Sequence, residues 1–361
     1  MNFETPKNQL SHPDLNQETN NYIHSLFQEV KLLKLQLEQA QTIDEKIQIA
    51  EKLVIKLELI QKSKESQRPI QEGESDLIQK IEQAQEIMGK NGLEFFLGPD
   101  DIEQTFGFKL EAKDIPAILF SEEEIERHQK SGDMLVLNMD KTPDGIPLNI
   151  EEMAERAIRS IGSNVIEKDK DGNPTKYLLS KNQFYDQGKI KSGTWFSSET
   201  KVRKQTPKLG WQFVSPNILP DSTGKNYIAQ TEMLIENARS NFFDGNLSQE
   251  YLEAEKEFKI EKSKIEEFIE NNNYVKASKT LSALKISQLL REPVQNVIFR
   301  YLVSFKKGKQ LFMDGKYSWA SSFSSDGFLL RFGGTYATGA LVSGSKPALS
   351  VDDLGAVSSR F

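Results

Sequence analysis

The spacing of hydrophobic positions along this chain changes from helical to alternating. From Asn20 the apolar residues Ile23, Leu26, Phe27, Val30, Leu33 and Leu37 recur at helical spacing, and a second run follows in Ile43, Ile47, Ala50, Leu53, Val54, Leu57 and Ile60. Thr42 and Glu45 have the S/T-x-x-E form of a capping box, so a new helix is predicted from Thr42. The two runs predict an antiparallel helical hairpin within residues 18–91, after a disordered tail at 1–17. A polar linker at 62–73 and another helix at about 75–88 complete the region. Two short helices seldom bury their stripes without a partner, so a coiled coil between copies through residues 20–64 is the alternative.

Residues 92–220 mix Gly, Pro and aromatics with short periodic segments and predict an α+β middle domain. Ser121 and Glu124 form a second capping box for a helix through Gln129, and Gly132 stops it before a strand at 134–139. A helix is predicted at 149–161, and Asp171-Gly172 has the form of a hairpin turn. Trp195 and Trp211 are the expected anchors of this core. Residues 221–290 read as a helical spacer. One helix runs from Asp221-Ser222 to about Phe243, and a longer stretch at 248–290 is interrupted at Asn271-Asn272-Asn273. Pro293 suits the first turn of one more helix.

From Lys316 onward the texture changes: Glu, Gln and Asn vanish, and Ser, Gly and aromatics alternate with short apolar runs. Residues 291–361 therefore predict a β-rich module in which the helix after Pro293 covers four short strands. Trp319 is expected inward. Alternation along 328–332 places Phe328, Leu330 and Phe332 on the buried face, with Leu329 and Arg331 opposite. Small residues and aromatics on turns make an adaptable recognition surface. The candidate ligand-facing set is Ser322, Phe323, Arg331, Tyr336, Ser343, Ser345, Lys346 and Leu349.

Composition narrows the chemistry. The net charge of -7 argues against broad electrostatic binding to nucleic acid or anionic lipid. The basic stretch KVRKQTPK at 201–208 reads as a solvated loop or, alternatively, as a phosphate or partner contact. Cysteine is absent, which closes thiolate nucleophiles, disulfides and Cys-type zinc sites. The histidines are His12, His24 and His128, too scattered to assemble a His-based triad or a three-His metal site. DKDGNP at 169–174 lacks the Gly and Glu of a calcium loop and reads as a hairpin turn. No cofactor or metal is expected. With neither a signal peptide nor an 18-residue apolar run, the chain is expected to be cytoplasmic and not to span a membrane.

Trp319 with Ala320-Ser321-Ser322, the Ser325-Asp326-Gly327 turn, Gly333, Gly339, Gly344 and the closing 354–360 segment carry a resemblance. The tail resembles the end of C-type-lectin-like domains, above all those of diversity-generating retroelement variable proteins, and shares that form with formylglycine-generating-enzyme-like domains. Most of the remaining chain is similar to multi-copy uncharacterised proteins of small-genome bacteria, which implies no activity. The lectin-like resemblance implies a non-enzymatic recognition protein that binds a protein or other ligand on its final strands. The oxidase chemistry of the formylglycine-generating branch has no cysteine here to carry it. Two alternatives stand beside this reading: a structural or accessory protein, intracellular or phage-related, whose tail only packs on a partner, and a carboxylate-dependent hydrolase in the middle domain.

If the N-terminal stripes join copies of the chain, Leu33→Glu with Leu53→Glu is expected to shift the protein to a smaller species in sedimentation velocity. A wild-type chain that is monomeric at high concentration would instead mean that the stripes are covered within one molecule.

Overall fold

The computed structural model describes residues 74–308, 315–334 and 338–361, together with scattered positions between 29 and 56. The chain divides into two compact units, Met1–Ser75 and Asp76–Phe361. In the first, the described positions from 29 to 37 and from 45 to 56 are helical. Val30 is buried, and Lys56 Nζ lies 2.6 Å from a Glu29 carboxylate oxygen. That pair brings the end of the later run to the start of the earlier one, as in an antiparallel hairpin. The tail predicted at 1–17, the linker at 62–73 and the cap at Thr42 lie outside the described residues.

The larger unit is mixed α+β. Its first helix, α1 (Glu74–Gly89), buries Ala84, Ile87 and Met88. β1 (Phe96–Leu97) leads to α2 (Pro99–Phe106), which starts on a proline while Asp101 Oδ2 accepts from Gly98 N at 2.9 Å. The capping box before α3 (Glu122–Lys130) is formed in both directions between Ser121 and Glu124. β2 (Met134–Asn138) is buried throughout, and Asn149 Oδ1 caps α4 (Ile150–Ile161) by accepting from Glu151 N and Glu152 N. The turn between β3 (Val165–Lys168) and β4 (Pro174–Tyr177) is the expected hairpin, closed by Asp169 Oδ1 accepting from Asp171 N and Asn173 N.

Two short helices, α5 (Trp195–Ser198) and α6 (Thr200–Lys204), precede β5 (Gly210–Val214). The helix expected from Asp221 begins later, as α7 (Tyr227–Asn237), because Asp221 is left-handed at φ 58° and Asn226 supplies the cap to Ala229 N. The long helical stretch ends α8 (Gln249–Glu270) at the asparagine cluster, where Asn272 takes φ 56°. A further break at the extended Leu284 separates α9 (Tyr274–Ala283) from α10 (Lys285–Leu290). The helix after Pro293 is α11 (Val294–Lys306), followed by β6 (Tyr317–Phe323), β7 (Leu329–Gly333), β8 (Leu341–Ser345), β9 (Leu354–Gly355) and β10 (Ser359–Arg360).

Strand pairing crosses the boundary expected at residue 291. β10 lies antiparallel to β5, with Ser359 opposite Val214 and Arg360 opposite Phe213, so the end of the chain completes a sheet of order β1-β2-β5-β10. The other tail strands form a second sheet, β8-β7-β6-β9, in which β9 runs parallel to β6. Gly333 makes the β6–β7 pairing possible at its end: with φ 149°, any Cβ there would sit 2.1 Å from Lys316 O.

Helix α11 packs on β1 and β2 of one sheet and on β6 and β7 of the other, as well as on α2 and α4. Every residue from Val294 to Ser304 is buried. The tail sheet is in turn covered on both faces, because Leu330, Phe332 and Val342 join the core around α11 while Trp319, Leu329 and Leu354 join a second core of α7 to α10. The expectation of one buried face is therefore corrected: Leu329 is as inaccessible as Leu330, both at 0% exposure. Trp319 is inward as expected and meets Tyr227 edge-on at 5.7 Å. Of the two tryptophans expected in the middle core, Trp211 is buried and donates to Pro116 O, whereas the half-buried Trp195 donates to Asp326 Oδ2 on the β6–β7 turn.

The closing strand is fastened by His128, which is wholly buried although its helix is highly charged. Its ring stacks on Phe213 at 3.8 Å and its Nδ1 lies 2.7 Å from Asp133 Oδ2. Arg360 Nη1 lies 3.3 Å from Nε2, and Arg360 also pairs with Glu124. Since arginine only donates, Nε2 is the acceptor and Nδ1 carries the proton, which makes the imidazole neutral. Burial, with Arg360 adding to it and Asp133 and Glu124 opposing, holds the His128 pKa below its ordinary 6.5. The unfolded chain then takes up this proton first as pH falls. The His128 contribution to stability is expected to be complete above about 6.5 and to be lost as pH drops through the lower folded value. Urea unfolding from pH 8 to 5 should show that loss, and His128→Asn should flatten it.

A candidate ligand cleft between the basic segment and the tail sheet

The segment 199–208 is held from several directions. Glu199 is buried and accepts from Ser325 N and Ser325 Oγ, both at 2.8 Å. Arg203 turns inward, donating to Ser197 O at 2.7 Å and to Glu151 at 3.1 Å. Helix α6 stops at Gln205, whose backbone is extended, because Pro207 disfavours helix in the residue before it and cannot donate itself. The buried Gln295 of α11 donates through Nε2 to Val202 O at 2.8 Å and to Gln205 Oε1 at 3.2 Å. Its neighbour Asn296 grips the backbone of Lys208 at both ends, accepting from Lys208 N at 2.8 Å and donating to Lys208 O at 3.2 Å.

These contacts leave Lys201, Lys204 and Lys208 along one wall of a cleft of about 570 Å³. The other walls come from Ser321, Ser322 and Phe323 at the end of β6, from Pro293 and Gln295 at the start of α11, and from Ser282 and Gln288 of the helical region. Among the described residues the lining contains three lysines and no carboxylate. Lys201 Nζ sits 4.8 Å from the centre of the Phe323 ring, and Lys208 Nζ 4.0 Å from that of Phe361. Burial pushes the Lys208 ammonium below its ordinary pKa, with Glu250 opposing the shift. An anion placed in the cleft would favour the charged form and reverse that cost. Ser322 Oγ accepts from Val294 N at 3.1 Å, which leaves its own proton for a ligand acceptor.

The sequence-derived candidates do not form one surface. Ser322 and Phe323 line the cleft. Arg331 pairs with Ser343 across the sheet, and Leu329 with Ser345, so these residues share the face of Trp319 that looks onto the helical core. Arg331 is half-buried with its guanidinium 4.4 Å from the centre of the Tyr317 ring, and its Nε has no hydrogen-bond partner among the described residues. Ser345 is 7% exposed. Lys346 is exposed and lies over Tyr274 at 4.5 Å, while Leu349 packs against the helical core. Tyr336 lies outside the described residues. No protein family, curated protein or solved structure matches this chain.

Outside the tail, the cleft is lined by the lysines of 201–208, whose run reads in the sequence as a solvated loop or, alternatively, as a phosphate or partner contact, and by Ser282 and Gln288. The lysines had a sequence signal, since they form a dense basic run in an acidic chain. Ser282 and Gln288 had none: helix packing alone brings them to the cleft.

Asn296 is expected to be the residue that keeps the lysine wall in place. Asn296→Ala leaves Lys208 N and O without their partner and should lower stability by about 1–3 kcal/mol. Hydrogen exchange should then rise in residues 205–209 well before it rises in β2. Unchanged exchange there would mean that the segment is held without this clamp.

Proposed function

We propose that this chain is a recognition protein rather than an enzyme, and that it holds an anionic ligand in the cleft between residues 201–208 and the end of β6. The observation that carries this reading is the triad of lysines in a lining that has no carboxylate among the described residues, on a protein whose overall charge is -7. Lysines on an acidic protein's surface ordinarily face carboxylates. These three line one concave site, where Lys201 lies over the Phe323 ring, and the segment that bears them is fixed beforehand by Asn296, Gln295 and Glu199. Preorganised donors bind an anion without the ordering cost that free lysines would incur. Among the described residues the lining also lacks histidine, so it offers no imidazole, carboxylate or thiolate for acid–base or nucleophilic work.

The resemblance of the tail to C-type-lectin-like domains supports the same reading, since Ser321, Ser322 and Phe323 belong to the segment that carries it. The tail supplies one wall and the middle region the charge. The N-terminal stripes would serve to join copies. Among the described residues no helix is long and apolar enough to cross a membrane.

Calorimetric titration with tripolyphosphate, a simple polyanion, tests this. Wild type is expected to bind with an affinity that falls as salt is raised. The Lys201→Gln/Lys204→Gln double variant should lose at least about twentyfold in affinity, since contacts to charged groups are each worth roughly 1.5–3 kcal/mol. Equal binding by the double variant would place the anion elsewhere and remove the basis of the proposal.

A further inference from the structure

The donor and acceptor pattern of the cleft says more about its occupant than its charge does. Resting on the reading above, we infer that the ligand is a small phosphate monoester with a hydroxylated carbon skeleton and no aromatic ring, its phosphate among Lys201, Lys204 and Lys208 and its hydroxyls toward Ser282, Ser322 and Gln295.

Three features lead there. The first is the kind of cation. The guanidinium of the basic segment, Arg203, is committed to Ser197 O and Glu151, so among the described residues the charged side chains lining the cleft are lysines alone. Arginine forks suit planar carboxylates, whereas lysines act as point charges around an anion that accepts from several directions. A phosphate monoester carries close to two negative charges near neutral pH and presents three oxygens in a tetrahedral array. It matches lysines that approach from α6 and from the loop before β5.

The second feature is the mixture of hydrogen-bonding groups. Ser322 Oγ already accepts from Val294 N and so has a proton to give. Gln205 Oε1 accepts from Gln295, which leaves the Gln205 amide to donate. Ser282 donates to Ser321 O, and Gln295 makes both of its bonds through Nε2, so Ser282 Oγ and Gln295 Oε1 remain as acceptors. A bare anion uses only the donors. A ligand that also carries hydroxyl groups uses both sets.

The third feature is size and surface. About 570 Å³ lies within the usual range for small-molecule pockets, roughly 300–1,000 Å³, and holds a phosphorylated skeleton of several carbons rather than a folded partner. The apolar walls are Pro293 and Phe323, and Lys201 lies over the Phe323 ring. A nucleobase would need that ring face, which makes a nucleotide a poorer fit than an ester without an aromatic ring.

Titration calorimetry on the full chain, with circular dichroism to confirm that each variant is folded, tests the inference. The probes are glucose 6-phosphate, glycerol 3-phosphate, inorganic phosphate, glucose, citrate, adenosine monophosphate and a hexaglutamate peptide. The expected order places a phosphate ester at least about fivefold tighter than inorganic phosphate, with no detectable binding of glucose. Lys204→Gln should weaken the ester about tenfold, the loss expected for one charged hydrogen bond. Because Ser322→Ala removes the acceptor for Val294 N and could disturb folding, Gln205→Ala serves as the second variant; it should weaken the ester more than inorganic phosphate. If citrate, adenosine monophosphate or hexaglutamate binds more tightly than either ester, the cleft recognises anions but the ligand class is overturned. If no probe binds, or all bind Lys201→Gln/Lys204→Gln as well as wild type, anion recognition at this cleft fails with it.

Discussion

The burial of α11 on every side is the constraint on which the rest of this structure depends. A helix with water on one face can leave its polar residues there, but this one carries Gln295, Asn296 and Arg300 into surroundings where each must find a partner. Arg300 pairs with Glu292 at 2.6 Å, with both side chains almost inaccessible, and Glu292 also accepts from Gln212 of β5 at 2.5 Å. Losing one member of such a pair strands the other's charge, at a cost of about 3–5 kcal/mol. The helix is thereby locked to β5 in one position, with the two sheets on either side of it.

That lock explains why the cleft is preformed. The polar residues that make α11 acceptable in the interior are the ones that hold the basic segment, since Gln295 and Asn296 take their partners from Val202, Gln205 and Lys208. Ser322 caps the start of the same helix, and Ser321 N donates to Glu292 O. Core stability and cleft geometry therefore rest on shared contacts. Movement of α11 would shift both the lysine wall and the serine wall.

The interior also carries costs. Among the described residues, Asn138 of β2 finds no partner for either side-chain atom, and Gln212 Oε1 and Arg291 Nε and Nη1 are buried without hydrogen-bond partners. Arg291 is wholly inaccessible; it bonds Tyr227 O and Thr231 Oγ1 and lies 4.0 Å over the Tyr227 ring, and burial lowers its pKa. Ring, carbonyl and hydroxyl thus do for Arg291 what a carboxylate does for Arg300. Arg291, at the end of α10, bonds α7, whereas Arg300 of α11 reaches β5 through Glu292.

Local rules in the sequence determined a good deal of this. The cap at Ser121, the helix from about Asn149, the turn at Asp171-Gly172, the break at the asparagine cluster and the inward Trp319 all follow from contacts within a few residues or from side-chain size, and they are where the reading placed them. The two-faced burial of Leu329 and Leu330, the pairing of β10 with β5 and the polar partners of α11 depend on segments dozens to hundreds of residues apart. Alternation in a strand tells which residues share a face, but not how many layers will cover it. The candidate cleft divides in the same way. Its lysines were visible as a basic run and its serines as part of the tail, but a solvated loop and a cleft wall have the same composition. Only the tertiary structure, by fixing that run against a helix more than eighty residues later, set lysines and serines face to face.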